Sequence, residues 1–148
     1  MTDSQDDREL GVTMSATTRL IAGAIVLAAI TGFAGQAAMA QTQQQLDWCS
    51  GKNAATADQQ IGGCTALIQT GKFTGKTLAL IFSNRGAAYK TKGQYDRAIQ
   101  DYDQAIKLNP NYARAFSNRS LAKEKKDDKA GADADMAAAK RIDPNIAP

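Results

Sequence analysis

From Tyr95 onward, apolar residues return with the period of a helix. Ala98, Ile99, Tyr102, Ala105 and Ile106 stand at i, i+1, i+4, i+7 and i+8, one apolar face of a 3.6-residue turn. The preceding stretch, from about Leu78 to Thr91, places Ile81, Phe82, Ala88 and Tyr89 in the same way. Lys92-Gly93-Gln94 reads as the turn between two antiparallel helices, because glycine enters the left-handed region without a Cβ clash. Asn109-Pro110 ends the second helix, since proline cannot continue the hydrogen-bond ladder. A second pair follows, with Asp127-Asp128 near a helix start and Lys140-Arg141 near its end, the signs that suit the helix dipole. The pattern predicts an all-α chain.

The two pairs are copies of one another. Phe82 and Phe116 are 34 residues apart, as are Ser83 and Ser117, Asn84 and Asn118, and Arg85 and Arg119. The same step joins Ala98 to Ala132, Asp101 to Asp135, Ala105 to Ala139, Leu108 to Ile142 and Pro110 to Pro144, with no gap. A fixed period of this length marks a repeat architecture, in which each unit buries its apolar face against its neighbours and about three units are needed for stability. Taken backwards, the step of 34 carries Phe82 to Trp48 and Ala98 to Cys64. QQLDWCSGK would then form a short first helix and ATADQQIGGCTALIQTGK a second, with apolar surface from Ile61, Ala66, Leu67 and Ile68.

These residues resemble the tetratricopeptide repeat family. The likeness rests on Gly86 and Tyr89 in the first helix, Gly93 and Tyr95 at the turn, then Ala98, Tyr102, Ala105 and Pro110. The second unit keeps Ser120, Ala132, Ala139 and Pro144. It carries Lys123, Lys129 and Met136 where the first has tyrosines, and Asp127 in place of Gly93. The resemblance implies a short right-handed solenoid of helical hairpins: a degenerate first repeat over 41–78, repeats at 79–112 and 113–146, and a tail at 147–148. It makes Gly86 and Ala98 the close-contact positions of the helix crossing and the tyrosines the bulk beside it.

The resemblance also implies a concave groove lined by the first helices, where a protein or peptide segment docks. Its candidates are Leu80, Ser83, Asn84, Ala87 and Lys90 in one unit, and Arg114, Ser117, Asn118, Leu121 and Lys125 in the next. Some relatives clamp a terminal carboxylate with Asn and Lys or Arg groups. Asn84 matches the central asparagine and Arg114 could replace a lysine, while Asn53 matches another asparagine only if the first unit aligns without a gap. Cys49 and Asn118 stand where such a clamp needs basic groups, so a complete clamp is not expected. Asn84 and Asn118 have a second reading, a structural bond to the adjacent repeat.

The first forty residues read as an address. Leu20 to Ile30 is LIAGAIVLAAI, eleven residues without charge, preceded by Arg19 and followed by Ala38-Met39-Ala40. A positive flank, a short apolar run and an A-x-A site form a secretory signal, with cleavage between Ala40 and Gln41. An uncleaved membrane anchor over 20–40 is the alternative, since 21 uncharged residues can span a bilayer. Asp3, Asp6, Asp7 and Glu9 have the wrong sign for a signal start, and Met14 opens a better one. Cleavage would leave no membrane span and, in a bacterium, a periplasmic or secreted chain. There Cys49 and Cys64, 15 apart and one in each helix of the first unit, would form a structural disulfide. Buried free thiols are the alternative; a redox role lacks the C-x-x-C spacing.

Composition narrows the function. The chain has no histidine and two cysteines, which excludes Ser-His-Asp and Cys-His nucleophiles, His-ligated metals and Cys-rich clusters. No enzyme, cofactor, metal or nucleic-acid role is expected. Gly71-Lys72-Phe73-Thr74-Gly75-Lys76-Thr77 ends like a phosphate loop, yet lacks the first glycine and a preceding strand. Removing the two basic and four acidic groups of residues 1–40 takes the formal charge from +3 to +5. The sequence therefore predicts a non-catalytic, exported interaction module. The competing reading is a cell-envelope structural or assembly factor whose basic surface holds anionic polymer or membrane. Weak self-association through the last repeat is a further expectation.

Overall fold

The computed structural model describes residues 35–147, and all regular structure among them is helical. The chain divides between residues 39 and 40 into two compact units. Of the first only 35–39 is described, and it is helical. The signal-like stretch up to residue 34 lies outside the described residues. In the second unit α1 covers residues 40–49, and a single 3-10 turn follows at Lys52–Ala54. Then come α2 (Ala57–Gln69), α3 (Gly75–Thr91), α4 (Tyr95–Leu108), α5 (Ala113–Glu124) and α6 (Lys129–Ile142). From α2 on, each helix packs against the next in the chain, and α3 also touches α5.

Local chemistry sets the helix ends. Thr56 accepts a hydrogen bond from the Gln59 amide while the Gln59 side chain accepts one from the Thr56 amide, a reciprocal cap at the start of α2. Asp128 caps α6 through the Gly131 amide. Gly93 turns the chain after α3 with φ 72°, and the Gln94 amide bonds back to the Tyr89 carbonyl. Asp127, 34 residues later, adopts φ 61°, and the Asp128 amide bonds back to Lys123. The second repeat thus keeps the turn and places an aspartate in a conformation that favours glycine.

The hairpin crossing is set by the size of one position. A Cβ on Gly86 would lie 2.9 Å from the Tyr102 ring. Tyr102 is fully buried among Ala98 and Ala122, with Tyr89, Tyr95 and Ile99 around it. Glycine in α3 is what lets the ring of α4 reach the crossing. In the second repeat Ser120 and Met136 hold the equivalent places, a small side chain opposite a flexible one. They border a hollow of about 300 Å³ that also touches Leu121, Ala132 and Asp133. A similar close approach joins α1 and α2, where a Cβ on Gly63 would lie 2.7 Å from the Gln45 carbonyl oxygen and 2.9 Å from the Trp48 Cβ.

Polar groups repeat as regularly as apolar ones. Arg85 on α3 forks onto both carboxylate oxygens of Asp101 on α4, at 2.8 Å each, and its remaining nitrogen donates to Thr65 on α2. Arg119 on α5 forks onto Asp135 on α6 and donates to Asp103 on α4. Each arginine therefore closes its own hairpin and reaches back to the one before. Guanidinium faces also rest on Phe82 and Tyr89 for Arg85 and on Phe116 for Arg119. The hydrogen bond to Asp101 raises the pKa of Arg85, and that to Asp135 raises Arg119. Burial alone would raise the Asp135 carboxyl, but Arg119 and Lys123 outweigh it and hold the group below the usual carboxylate range. Its contribution to stability is present at neutral pH and is lost as acid titrates it.

These bonds define the register of the first unit. Lys92 pairs with Asp58, and Lys126 with Asp96. The lysines are 34 apart and the aspartates 38, the same 38 that separates Thr65 from Asp103 and the first residues of α2 and α4. Four residues therefore interrupt the backward step of 34. They sit in the extra N-terminal turn of α3, which starts at Gly75 where α5 starts at Ala113. In this register Cys64 corresponds to Tyr102, not to Ala98, and both are fully buried.

Cys49 and Cys64 form a disulfide with Cα atoms 4.6 Å apart, tying α1 to α2 beside Leu46, Leu67 and Ile81. A loop of this length is worth about 3 kcal/mol in the chain-entropy view. The Tyr102 hydroxyl is buried with no hydrogen-bond partner among the described residues. Tyr102→Phe should therefore raise stability by about 1 kcal/mol in denaturant unfolding. Gly86→Ala should lower it by about 1–2 kcal/mol through overpacking, partly offset by helix propensity. That loss should largely disappear in a Tyr102→Met background, the pairing used by the second repeat.

Candidate binding groove

Two first helices lie side by side and carry most of the expected groove residues. Asn84 and Lys90 stand on α3, Arg114, Asn118 and Leu121 on α5, and Lys125 at the end of α5. Leu80 is the exposed apolar residue of α3, with 46% of its surface accessible. Ser83 and Ser117 are buried instead, and Ser117 donates to the carbonyl of Ala147 in the tail. Ala40 and Gln41, the expected cleavage site, are helical and exposed. Asn53 lies in the 3-10 turn between α1 and α2 with φ 56°, and does not sit on a first helix beside Asn84. The four-residue insertion is the physical reason.

One side-chain hydrogen bond in the groove crosses between repeats. The Lys90 ammonium donates to the Asn118 side-chain oxygen at 3.0 Å. No carboxylate pairs with Lys90 among the described residues, and burial lowers its pKa. Asn118 thus takes the structural role, bonding the neighbouring repeat. Asn84, half-buried at the equivalent place one repeat earlier, makes no side-chain hydrogen bond among the described residues. Arg114 and Lys125 are exposed and form no ion pair among them. Lys90, Thr91, Tyr95, Leu121 and Lys125 surround a hollow of about 240 Å³ at the C-terminal ends of α3 and α5. Three of the expected residues are therefore brought to one place, while Asn84 and Arg114 lie outside that hollow.

At Arg85 and Arg119 the structure joins a carboxylate fork to ring stacking, a pairing that the sequence reading had not assigned. The spacing held a signal, because an arginine precedes an aspartate by 16 residues in both units. Among the described residues no three His, Cys, Asp or Glu side chains gather as for a metal ion. No described helix is long and apolar enough to cross a membrane. The arrangement can bind through side chains that lack partners, and the fold defines a repeat protein built of stacked helical hairpins.

Comparison with known proteins finds a likeness over part of the chain. Residues 79–112 match the model of the tetratricopeptide repeat, beginning just after the extra turn of α3. The small glutamine-rich tetratricopeptide repeat-containing protein 2 of Saccharomyces cerevisiae is 38% identical over 47 residues, 32% of this chain and 14% of that protein. Sperm-associated antigen 1 of Rattus norvegicus is 34% identical over 74 residues, 50% of this chain and 8% of its own length. The heat-shock protein cognate co-chaperone sgt12 of Aspergillus fumigatus is 31% identical over 71 residues, 48% of this chain and 21% of its own. The chain thus spans a minor part of each relative.

Lys90 gives the groove a titratable mark. Its folded pKa lies below that of an unfolded lysine, so the folded chain binds fewer protons in that window and gains stability as pH rises through it. Side-chain NMR titration should find Lys90 deprotonating below the range of an unfolded lysine. Asn118→Leu, which removes the bond to the charged form, should move Lys90 lower still.

Proposed function

We propose that the chain is an exported, non-catalytic interaction module that holds a segment of another protein against α3 and α5. The observation that carries this reading is the set of groove side chains left without partners among the described residues, Asn84, Arg114 and Lys125, together with the exposed Leu80 on α3. The match of residues 79–112 to the tetratricopeptide repeat and the likeness to a co-chaperone support a protein as the partner. Export rests on the signal-like run before Gln41 and agrees with the disulfide, since such bonds persist in oxidising compartments. Self-association by stacking a further repeat on α6 has weaker support. The aspartates that receive Lys126 and Arg119 on α4, Asp96 and Asp103, correspond at the step of 34 to Ala130 and Ala137.

The mature chain from residue 41, immobilised and exposed to envelope extract from its own source, should retain a protein partner. Asn84→Ala and Arg114→Ala should each cut that retention about 5–10-fold at physiological salt. Retention that ignores both substitutions and vanishes with added salt would instead favour the basic surface holding anionic polymer or membrane.

A further inference from the structure

We propose that the hollow between the ends of α3 and α5 binds an internal glutamate or aspartate side chain flanked by an apolar residue in a partner peptide. This deepens the groove reading and rests on it. It concerns groups other than Asn84 and Arg114, and a carboxylate other than a chain terminus.

Four observations meet at this place. Lys90 is half-buried, and its one hydrogen-bond partner among the described residues is the neutral oxygen of Asn118. Neighbouring lysines have found carboxylates: Lys92 pairs with Asp58, Lys123 with Asp135 and Lys126 with Asp96. Lys90 and Lys125 have not, and both border the same hollow. No acidic side chain lines it, and its other walls are Thr91, Tyr95 and Leu121. At about 240 Å³ the space is below the range of small-molecule sites and suits single side chains.

The chemistry follows from charge and size. A desolvated ammonium gains most from an anion, because the attraction is strong where water is thin and Lys90 has already lost part of its hydration. Lys125, exposed at the rim, adds attraction at longer range. Leu121 and the Tyr95 ring offer apolar contact to the residue beside the carboxylate. An acidic segment with interspersed apolar residues satisfies all of these groups together.

Fluorescence anisotropy with a labelled, N-acetylated and C-amidated LEELEL peptide tests the proposal on the mature chain. Amidation leaves no terminal carboxylate to bind. The peptide should bind saturably, and a matching LKLLKL peptide should not. Lys90→Gln should weaken binding at least about 10-fold and Lys125→Gln about 3–10-fold, while Lys107→Gln changes nothing. Lys125 is exposed, so its variant folds like the parent by circular dichroism and keeps the test meaningful if Lys90→Gln does not. Equal affinity of the parent and both glutamine variants overturns the proposal, as does loss of binding to phosphatidylglycerol vesicles with no loss of peptide. If Asn84→Ala and Arg114→Ala still cut partner retention, the groove reading survives that failure; if they do not, it falls as well.

Discussion

Everything in the described fold depends on how an arginine on each first helix divides its donors. Two nitrogens of Arg85 grip Asp101 across the hairpin, and the third reaches Thr65 on the helix before. Arg119 does the same with Asp135 and Asp103. A planar five-donor cation suits this task, because a lysine offers no bidentate fork. Removing one partner would leave a charge that is largely shielded from water, so the pair enforces the stacking geometry even where it adds little net stability. The ring faces of Phe82 and Phe116 under the guanidinium groups complete the arrangement.

Around these forks the apolar core can be small. Much of it is alanine: Ala79, Ala98, Ala105, Ala115, Ala122 and Ala139 are almost completely buried, which lets helix backbones approach closely. The one large ring at the centre, Tyr102, fits because Gly86 has no side chain. Where the ring is absent, in the second repeat, serine and methionine take over. The disulfide does in the unit at 41–78 what the Tyr102 ring does in the repeat at 79–112, fixing α1 on α2 at Cys64, the counterpart of Tyr102.

Much of this was legible in the residues themselves. Gly93, Pro110 and the spacing of Ala98, Tyr102 and Ala105 foretell α3, α4 and the turn between them, and α4 and α6 start and end at a separation of 34. The register of α2 was not legible, because the four extra residues form a further turn of α3 and leave no break in the helical pattern. The close approach at Gly63 was hidden for the same reason, since its counterpart in the register of 38 is Asp101 and not a glycine. In the groove, periodicity and resemblance located Lys90, Asn118, Leu121 and Lys125. Which of them pair with each other depends on side-chain reach between repeats, and no one-dimensional pattern records that.

The claim that the arginine fork joins the hairpins is tested most directly by a thermodynamic cycle. Arg85→Met, Asp101→Asn and the double variant are unfolded in denaturant, and the coupling energy is read from the three differences. A coupling of about 2 kcal/mol or more is the predicted result. Coupling near zero, with additive single losses, would contradict the account.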